Sequence, residues 1–358
     1  MIHELATQET HDTIDGVPAP SANAFLAGHE EIRAFLARAY RSGKMHHALL
    51  FEGPRGVGKA TLAYHLAGHM LSHADSGQAP ADIAFPDFEK PLFRQIAGGI
   101  HPAILHVDRP LDQKTAKFKT GITVEEIRKV THFLTRTSHD GAWRIVIVDP
   151  ADDMNRNAAN ALLKTLEEPP ARALFILISH SAGRLLPTIR SRCQTLQFKS
   201  LDRVSMQKAL AAIGPSVGFD AADGEGTTAL IERSEGSVRK AALLIAHGGL
   251  EIAQAADAIL EKGSFDLPKA QALAAAIGGR EAEIQYDLFF DHILQRIADR
   301  ARLHAGEGAI VPANAWSAFW NRVRQNGMET QAFNLDKKQA VLILLEKTHR
   351  AFQNGVPA

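Results

Sequence analysis

The sequence predicts an α/β domain built on a parallel sheet, followed by a small helical lid and an all-α C-terminal domain. Three observations carry this prediction. Short continuous apolar runs alternate with amphipathic stretches up to about residue 200, a glycine-rich turn ending in Gly-Lys joins the first run to a helix, and strand signals stop beyond Asp202.

Residues 1–23 read as a loose arm, because polar and turn-forming types dominate without any period. Glu30 to Arg41 then carries Ile32, Phe35, Leu36 and Tyr40 at helical spacing, and His47 to Phe51 is a buried strand. After the glycine-rich turn a helix is expected from Ala60 to Ser72. Two more buried strands are expected at Arg144 to Val148 and Leu174 to Ser179. Between them Asn157 to Glu168 is an amphipathic helix halted by Pro169-Pro170, since proline lacks the N–H and clashes with the preceding turn. Residues 74–121 are rich in Pro and Gly and read as an irregular insertion with a strand at Ile104 to Val107; Val124 to Thr135 reads as a helix. Farther on, Arg203 to Ile213, Thr227 to Arg233, Ser237 to His247, Glu281 to Leu303, Ala315 to Gln325 and Lys337 to Phe352 fit helices. Gly263-Ser-Phe-Asp266 interrupts two alanine-rich helices and reads as a hinge. The expected division is an arm at 1–23, an α/β core at 24–200, a small helical domain at 201–262 and a terminal helical domain at 263–358.

The 358 residues include forty basic and forty acidic side chains, so bulk charge cannot grip nucleic acid and any DNA contact must be local or shared with partners. The single cysteine, Cys193, forbids an internal disulfide and an all-cysteine zinc cage within the chain, as expected in a reducing cytoplasm. No apolar run approaches the roughly 20 residues of a membrane helix, so a cytoplasmic protein without membrane contact is expected.

Gly53-Pro-Arg-Gly56-Val-Gly58-Lys59, set between a strand and a helix, is the phosphate-loop arrangement: backbone N–H groups face phosphate oxygens and Lys59 reaches the terminal phosphates. The usual Ser or Thr that follows, a magnesium ligand through its hydroxyl, is here Ala60; Thr61 comes one place late, about 100° around the helix. The N–H groups of Ala60 and Thr61 can still face phosphate. Asp149 ends a strand where parallel sheets place ligands and is the natural magnesium partner. Pro150 stands where a water-orienting carboxylate would follow, so the pocket is expected to bind nucleotide and hydrolyse it poorly. Asp152 and Asp153 read as helix caps before Asn155.

Several other residues carry two readings each. Ser179 is either a γ-phosphate sensor or a strand-terminal serine. Arg190 reads as a solvated arginine, whereas Arg192 is either part of the same basic patch or an arginine finger acting on a neighbouring subunit; Cys193 beside it reads as a small buried apolar residue. Arg239 either swings from the lid onto a nucleotide phosphate or solvates a helix. His65, His69 and His73, at i, i+4 and i+8, read as a polar helix face rather than metal ligands, and His46 and His47 as structural.

Four segments together carry a family resemblance: His46 to Ala60, Val148 to Asn155, Ala161-Leu-Leu-Lys-Thr-Leu-Glu-Glu-Pro-Pro170 and Ile189-Arg-Ser-Arg-Cys193. Over residues 24–245 the chain resembles the delta-prime family of bacterial DNA polymerase III clamp-loader subunits, with Asp149-Pro150 in place of Asp-Glu separating it from the ATP-hydrolysing tau/gamma type. The resemblance implies an AAA+ core, a lid and a collar that assembles a five-subunit ring with delta and three tau/gamma subunits to place the sliding clamp on primed DNA. It implies Lys59 and the loop glycines on the phosphates of ATP or ADP, Asp149 on magnesium, Ser179 and Arg239 as first and second sensors, and Arg192 as the finger. Such a chain belongs to the polymerase holoenzyme in DNA replication without a polymerase site and with little or no ATPase of its own. Many relatives carry a four-cysteine zinc module after the phosphate-loop helix; residues 74–121 contain no cysteine, so no zinc is expected. The alternative is an ATP-hydrolysing tau/gamma-like or helicase-loading AAA+ motor, against which Ala60 and Pro150 argue. A small-molecule phosphate-loop kinase would leave the helical C-terminal half without a role.

Overall fold

A computed structural model describes residues 10–112, 114–115, 117–135, 142–220, 224–279 and 282–357. The chain divides into two compact units, Met1–Ala242 and Leu243–Ala358.

In the first unit, helix α1 (Glu30–Arg41) precedes strand β1 (Ala48–Glu52) and helix α2 (Lys59–Ser72). Glu30 and Glu31 open α1 and Arg38 and Arg41 close it, which complements the helix dipole. The insertion forms α3 (Pro91–Ala97), β2 (Ile104–Val107) and the two-residue strands β3 (Leu111–Asp112) and β4 (Lys117–Phe118). Then come α4 (Val124–Thr135), β5 (Arg144–Val148), α5 (Arg156–Glu167), β6 (Ala173–Ser179), α6 (Pro187–Arg190) and β7 (Gln194–Gln197). The main sheet runs β2-β5-β6-β1-β7, and all its pairings are parallel. Phe51 lies opposite Ile178 and Val148 opposite Leu177. Alternate strand residues feed opposite layers, as the period of two requires. Leu49, Phe51, Ile145, Ile147, Ile176 and Ile178 pack on α1 and α2, while Leu50, Val146, Val148, Phe175 and Leu177 pack on α4 and α5. Helices α7 (Arg203–Ile213) and α8 (Gly224–Ser234) follow, and α9 (Val238–Ala246) begins in this unit.

The second unit contains α10 (Gly249–Leu260), α11 (Leu267–Ile277), α12 (Glu283–Gly306), α13 (Ile310–Ala332) and α14 (Lys337–Asn354). Its core gathers Ile259, Leu273, Phe289, Ile293, Trp316, Val323 and Leu345. Both helices flanking Gly263 to Asp266 contribute to that one core, and the division between units falls twenty residues earlier. This segment is therefore a turn within a unit, held by Lys262 on Asp266 at 2.9 Å.

Three other expectations are corrected. Among the described residues the arm is not loose: Ile14 and Ala22 are buried, and Pro20–Ala22 forms a 3₁₀ turn; residues 1–9 lie outside the described residues. Strand β7 was not expected, because Gln-Thr-Leu-Gln is short and alternates in burial at a sheet edge, where β1 is its one neighbour in the sheet. The histidine stripe is not a polar face. His65 and His69 are buried, since α2 is enclosed by the sheet, the 3₁₀ turn and α3. Burial pushes both rings down to about 4, leaving them neutral, with His65 Nε2 at 2.8 Å from the Asn23 carbonyl.

Candidate phosphate-binding site

The loop from Gly53 to Lys59 leaves β1 and enters α2, so it sits at the C-terminal edge of the sheet. Gly56 has φ +77°, and a side chain there would meet Ser237 Oγ and Arg239 Cβ at 2.4 Å. Gly53, at φ +152°, has the Phe198 carbonyl where a Cβ would stand. Gly58 caps α2. Lys59 is buried and donates from Nζ to the Gly53 carbonyl at 2.7 Å and the Pro54 carbonyl at 2.5 Å. Burial lowers its ammonium to about 8, against the opposing pull of Asp149 and Asp152. Ala60 and Thr61 line the same cavity of about 1310 Å³, which Arg239, Asp149 and His180 also line.

Asp149 leaves the end of β5 beside that lysine. Burial pushes its carboxyl up to about 7, Asp12 pushing the same way and Lys59 against; 21% of the side chain still meets solvent. His180 Nε2 lies 3.9 Å from Asp149 Oδ1. Burial, with Lys59 and Arg55 nearby, pushes His180 down to about 3, and its Nδ1 is buried without a hydrogen-bond partner among the described residues.

Asp152 and Asp153 are not helix caps. Asn155 caps α5 itself, accepting from the Ala158 N–H at 2.9 Å. Asp152 instead accepts from Ser179 Oγ at 2.7 Å, from the His180 N–H at 2.5 Å and from the Ser181 N–H at 3.1 Å, fixing the end of β6. Asp153 pairs with Arg109 at 2.5 Å. A nearby Asp before a helix satisfies the capping rule as well as Asn does, so sequence spacing alone could not separate them.

Arg239, at the start of α9, reaches the pocket, and its Nη2 pairs with Asp12 Oδ1 at 2.9 Å. Arg55, inside the loop, holds the same carboxylate through two contacts. Arg55 and His180 were not singled out from sequence; the position of Arg55 inside the phosphate loop and of His180 just after a strand end were the available signals. Arg192 stands apart from this cluster: it is 36% exposed, and its Nη2 pairs with Glu167 Oε1 at 2.6 Å. Arg190 is not merely solvated, since its Nη2 lies 3.6 Å from the buried Glu52 carboxylate. Cys193 is half-buried beside the α4–α5 layer, and burial pushes its thiol up to about 12. Among the described residues no group of three or more His, Cys, Asp or Glu side chains is arranged to hold a metal ion.

The donor set fits a nucleotide phosphate chain: Lys59, Arg55 and Arg239 converge on one cavity, with backbone N–H groups at the start of α2. For magnesium it offers the Asp149 carboxylate and no hydroxyl at Ala60.

A parallel sheet in the order β2-β5-β6-β1-β7, a phosphate loop after β1 and a helical segment after β7 define an AAA+ protein. Residues 28–202 match the family model described as DNA polymerase III, delta subunit. Over that segment the chain is similar to the delta-prime subunits of DNA polymerase III, as its motifs implied. It is 40% identical over 147 residues to DNA polymerase III subunit delta' of Pseudomonas aeruginosa, 41% of each chain. It is 29% identical over 263 residues to subunit tau of Salmonella typhimurium, 72% of this chain and 38% of that one. The chain thus spans less than half the length of these curated relatives. Among solved structures, a DNA polymerase III gamma subunit-related protein of Thermotoga maritima aligns with 91% of this chain and 100% of its own, at 17% identity and a TM-score of 0.43.

Proposed function

We propose that the chain acts as a clamp-loader assembly subunit: with tau/gamma and delta subunits in a cytoplasmic five-membered ring it helps to place the sliding clamp on primed DNA. In this reading the core binds ATP or ADP through Gly53, Gly56, Gly58, Lys59, Ala60, Thr61, Asp149, Ser179 and Arg239, and the helices from 263 onward form the collar. Its own site hydrolyses poorly, and Arg192 serves the site of a neighbour.

The observation that carries the impaired-ATPase half is the engagement of Asp152. Pro150 offers no carboxylate, and the nearest acid in sequence is committed to Ser179 and two backbone N–H groups. His180 is held neutral, and a ring pushed down to about 3 is a feeble base at neutral pH. Bound magnesium would supply charge neutralisation at the phosphates; Asp149 would hold it, and Lys59 would orient the phosphate oxygens. Support for the finger half is the placement of Arg192 in the turn that follows the short helix α6, away from the chain's own phosphate loop, with a guanidinium that keeps its charge at working pH.

Both halves are tested in one reconstitution. The chain alone should turn over ATP far below roughly 1 per second, and a rate at or above that would refute the impaired site. Arg192→Ala should leave folding and ring assembly unchanged while lowering clamp loading more than bulk ATPase. A finger is worth about 10³ to 10⁵ in rate at the one site it completes, and the ring's other sites mask part of that loss. Wild-type loading by Arg192→Ala rings would remove the finger.

A further inference from the structure

The arm crosses the mouth of the phosphate site, fastened at several points. His11 packs edge-on against Phe118 with ring centroids 6.3 Å apart. Ile14 is buried. Gly16, at φ +77°, runs so close to the α7–α8 segment that a side chain there would meet the Ser216 carbonyl at 2.6 Å. Farther along, Ser21 Oγ donates to the Ala97 carbonyl at 3.2 Å.

Between those anchors, Asp12 points its carboxylate at the two guanidinium groups of the pocket. Arg239 Nη2 lies 2.9 Å from Oδ1, Arg55 Nε donates to Oδ2 at 3.2 Å, and Arg55 Nη2 holds Oδ1 as well. Arg239 Nη1 also donates to the Asp12 carbonyl. Arg55 belongs to the phosphate loop, and Arg239 enters from the helical segment 227 residues away, so one carboxylate bridges loop and lid. Burial favours the protonated acid, yet Arg239 and then Arg55 outweigh it and hold the carboxyl below its ordinary value. Asp12 is therefore an anion at neutral pH. Two forked guanidinium groups around an anionic oxygen pair are the arrangement a phosphate takes.

We propose that Asp12 is an internal phosphate mimic: the arm carboxylate occupies the anion position that Arg55 and Arg239 offer, and a nucleotide phosphate must displace it. The inference rests on the reading of this cavity as a nucleotide site and adds a competitor carried by the chain itself. Arm and nucleotide then exclude each other at the anion position, and apparent affinity is the intrinsic affinity multiplied by the fraction of molecules whose arm is released. The arm need not leave entirely, since the His11, Ile14 and Ser21 contacts lie outside the guanidinium pair.

The test uses the full chain and its Asp12→Asn, Asp12→Ala and Asp15→Ala variants, titrated calorimetrically with MgADP and followed by amide hydrogen exchange over residues 10–18. Asp15 is exposed on the same arm and serves as the control. Both Asp12 variants should bind MgADP at least about tenfold more tightly than wild type, with Asp15→Ala unchanged. Saturating MgADP should also raise exchange around Asp12 in the wild type to the rate seen in Asp12→Ala without nucleotide. Equal or weaker binding by both Asp12 variants, while the wild type binds, would overturn the mimic and leave the nucleotide reading standing. Arm protection that persists at saturation would do the same. If no chain binds MgADP at millimolar concentration, the nucleotide reading itself fails and the mimic with it.

Discussion

The C-terminal edge of the sheet and the outer surface of the helical unit treat exposed chemistry in opposite ways. At the sheet edge the charged groups face each other: Asp12 meets Arg55 and Arg239, Asp152 holds the end of β6, and Asp153 meets Arg109. The unit Leu243–Ala358 pairs charges too, as in Arg296 with Glu261 at 2.6 Å, yet leaves large apolar side chains in solvent. Ile310 and Val311 at the start of α13 are 69% and 79% exposed, and Phe333 past its end is 72% exposed. Polar groups arranged around a concavity suit a small charged ligand, whereas uncovered apolar surface gains free energy only when another surface covers it. Under the proposed function the first region would carry recognition and the second assembly.

Phe175→Ala in β6 sharpens this contrast most. The ring is fully buried between β1 and β5 and the α4–α5 layer, so its loss should cost about 3 to 5 kcal/mol in urea unfolding. A loss below about 1 kcal/mol would mean that the sheet core is looser than its packing implies.

A smaller effect tests the electrostatics of the pocket. The folded Asp149 carboxyl keeps its proton up to about 7, while the unfolded one releases it near 3.8. Its contribution to stability is therefore complete below about pH 4 and is lost as pH rises toward 7. Asp149→Asn removes that loss. Because a fifth of the side chain still meets water, the gain at pH 8 should be about 1 to 2 kcal/mol, vanishing at pH 4. A pH-independent difference in chemical denaturation would show that Asp149 is ionised like an ordinary surface acid.

The smallest expected change in stability is at Phe333. Phe333→Ser should alter it by no more than about 0.5 kcal/mol, because the ring is already in solvent. The same variant, combined with Ile310→Ser, should weaken co-purification with tau/gamma and delta while leaving MgADP affinity alone. Undiminished assembly would break the division of labour between the two regions.

Much of the first unit was legible because its signals are local. β5 is an unbroken apolar run, α1 carries its own terminal charges, and α5 is halted by two prolines. Lys59, Asp149 and Arg239 were read from position, and all three line one cavity. The arm was illegible because its partners are remote: nothing near Asp12 announces Arg55 or Arg239, and polar segments dock through charges that periodicity does not record. His65 and His69 were misread for a related reason. A helix enclosed on nearly every side buries polar residues along with apolar ones, so amphipathic spacing ceases to mark the wet face.

Ser237 Oγ donates to the Arg55 carbonyl at 2.8 Å, and the Arg239 N–H reaches the Gly56 carbonyl at 3.4 Å. The first turn of α9 is thus stitched to the floor of the pocket through main-chain oxygens, which survive any exchange of the Arg55 side chain. If a ligand turned those peptide planes toward itself, the stitches would stretch or carry the helix start with them, as a follower rides a cam. Occupancy would then be converted into displacement at the pocket's own rim, with no relay of intervening side chains.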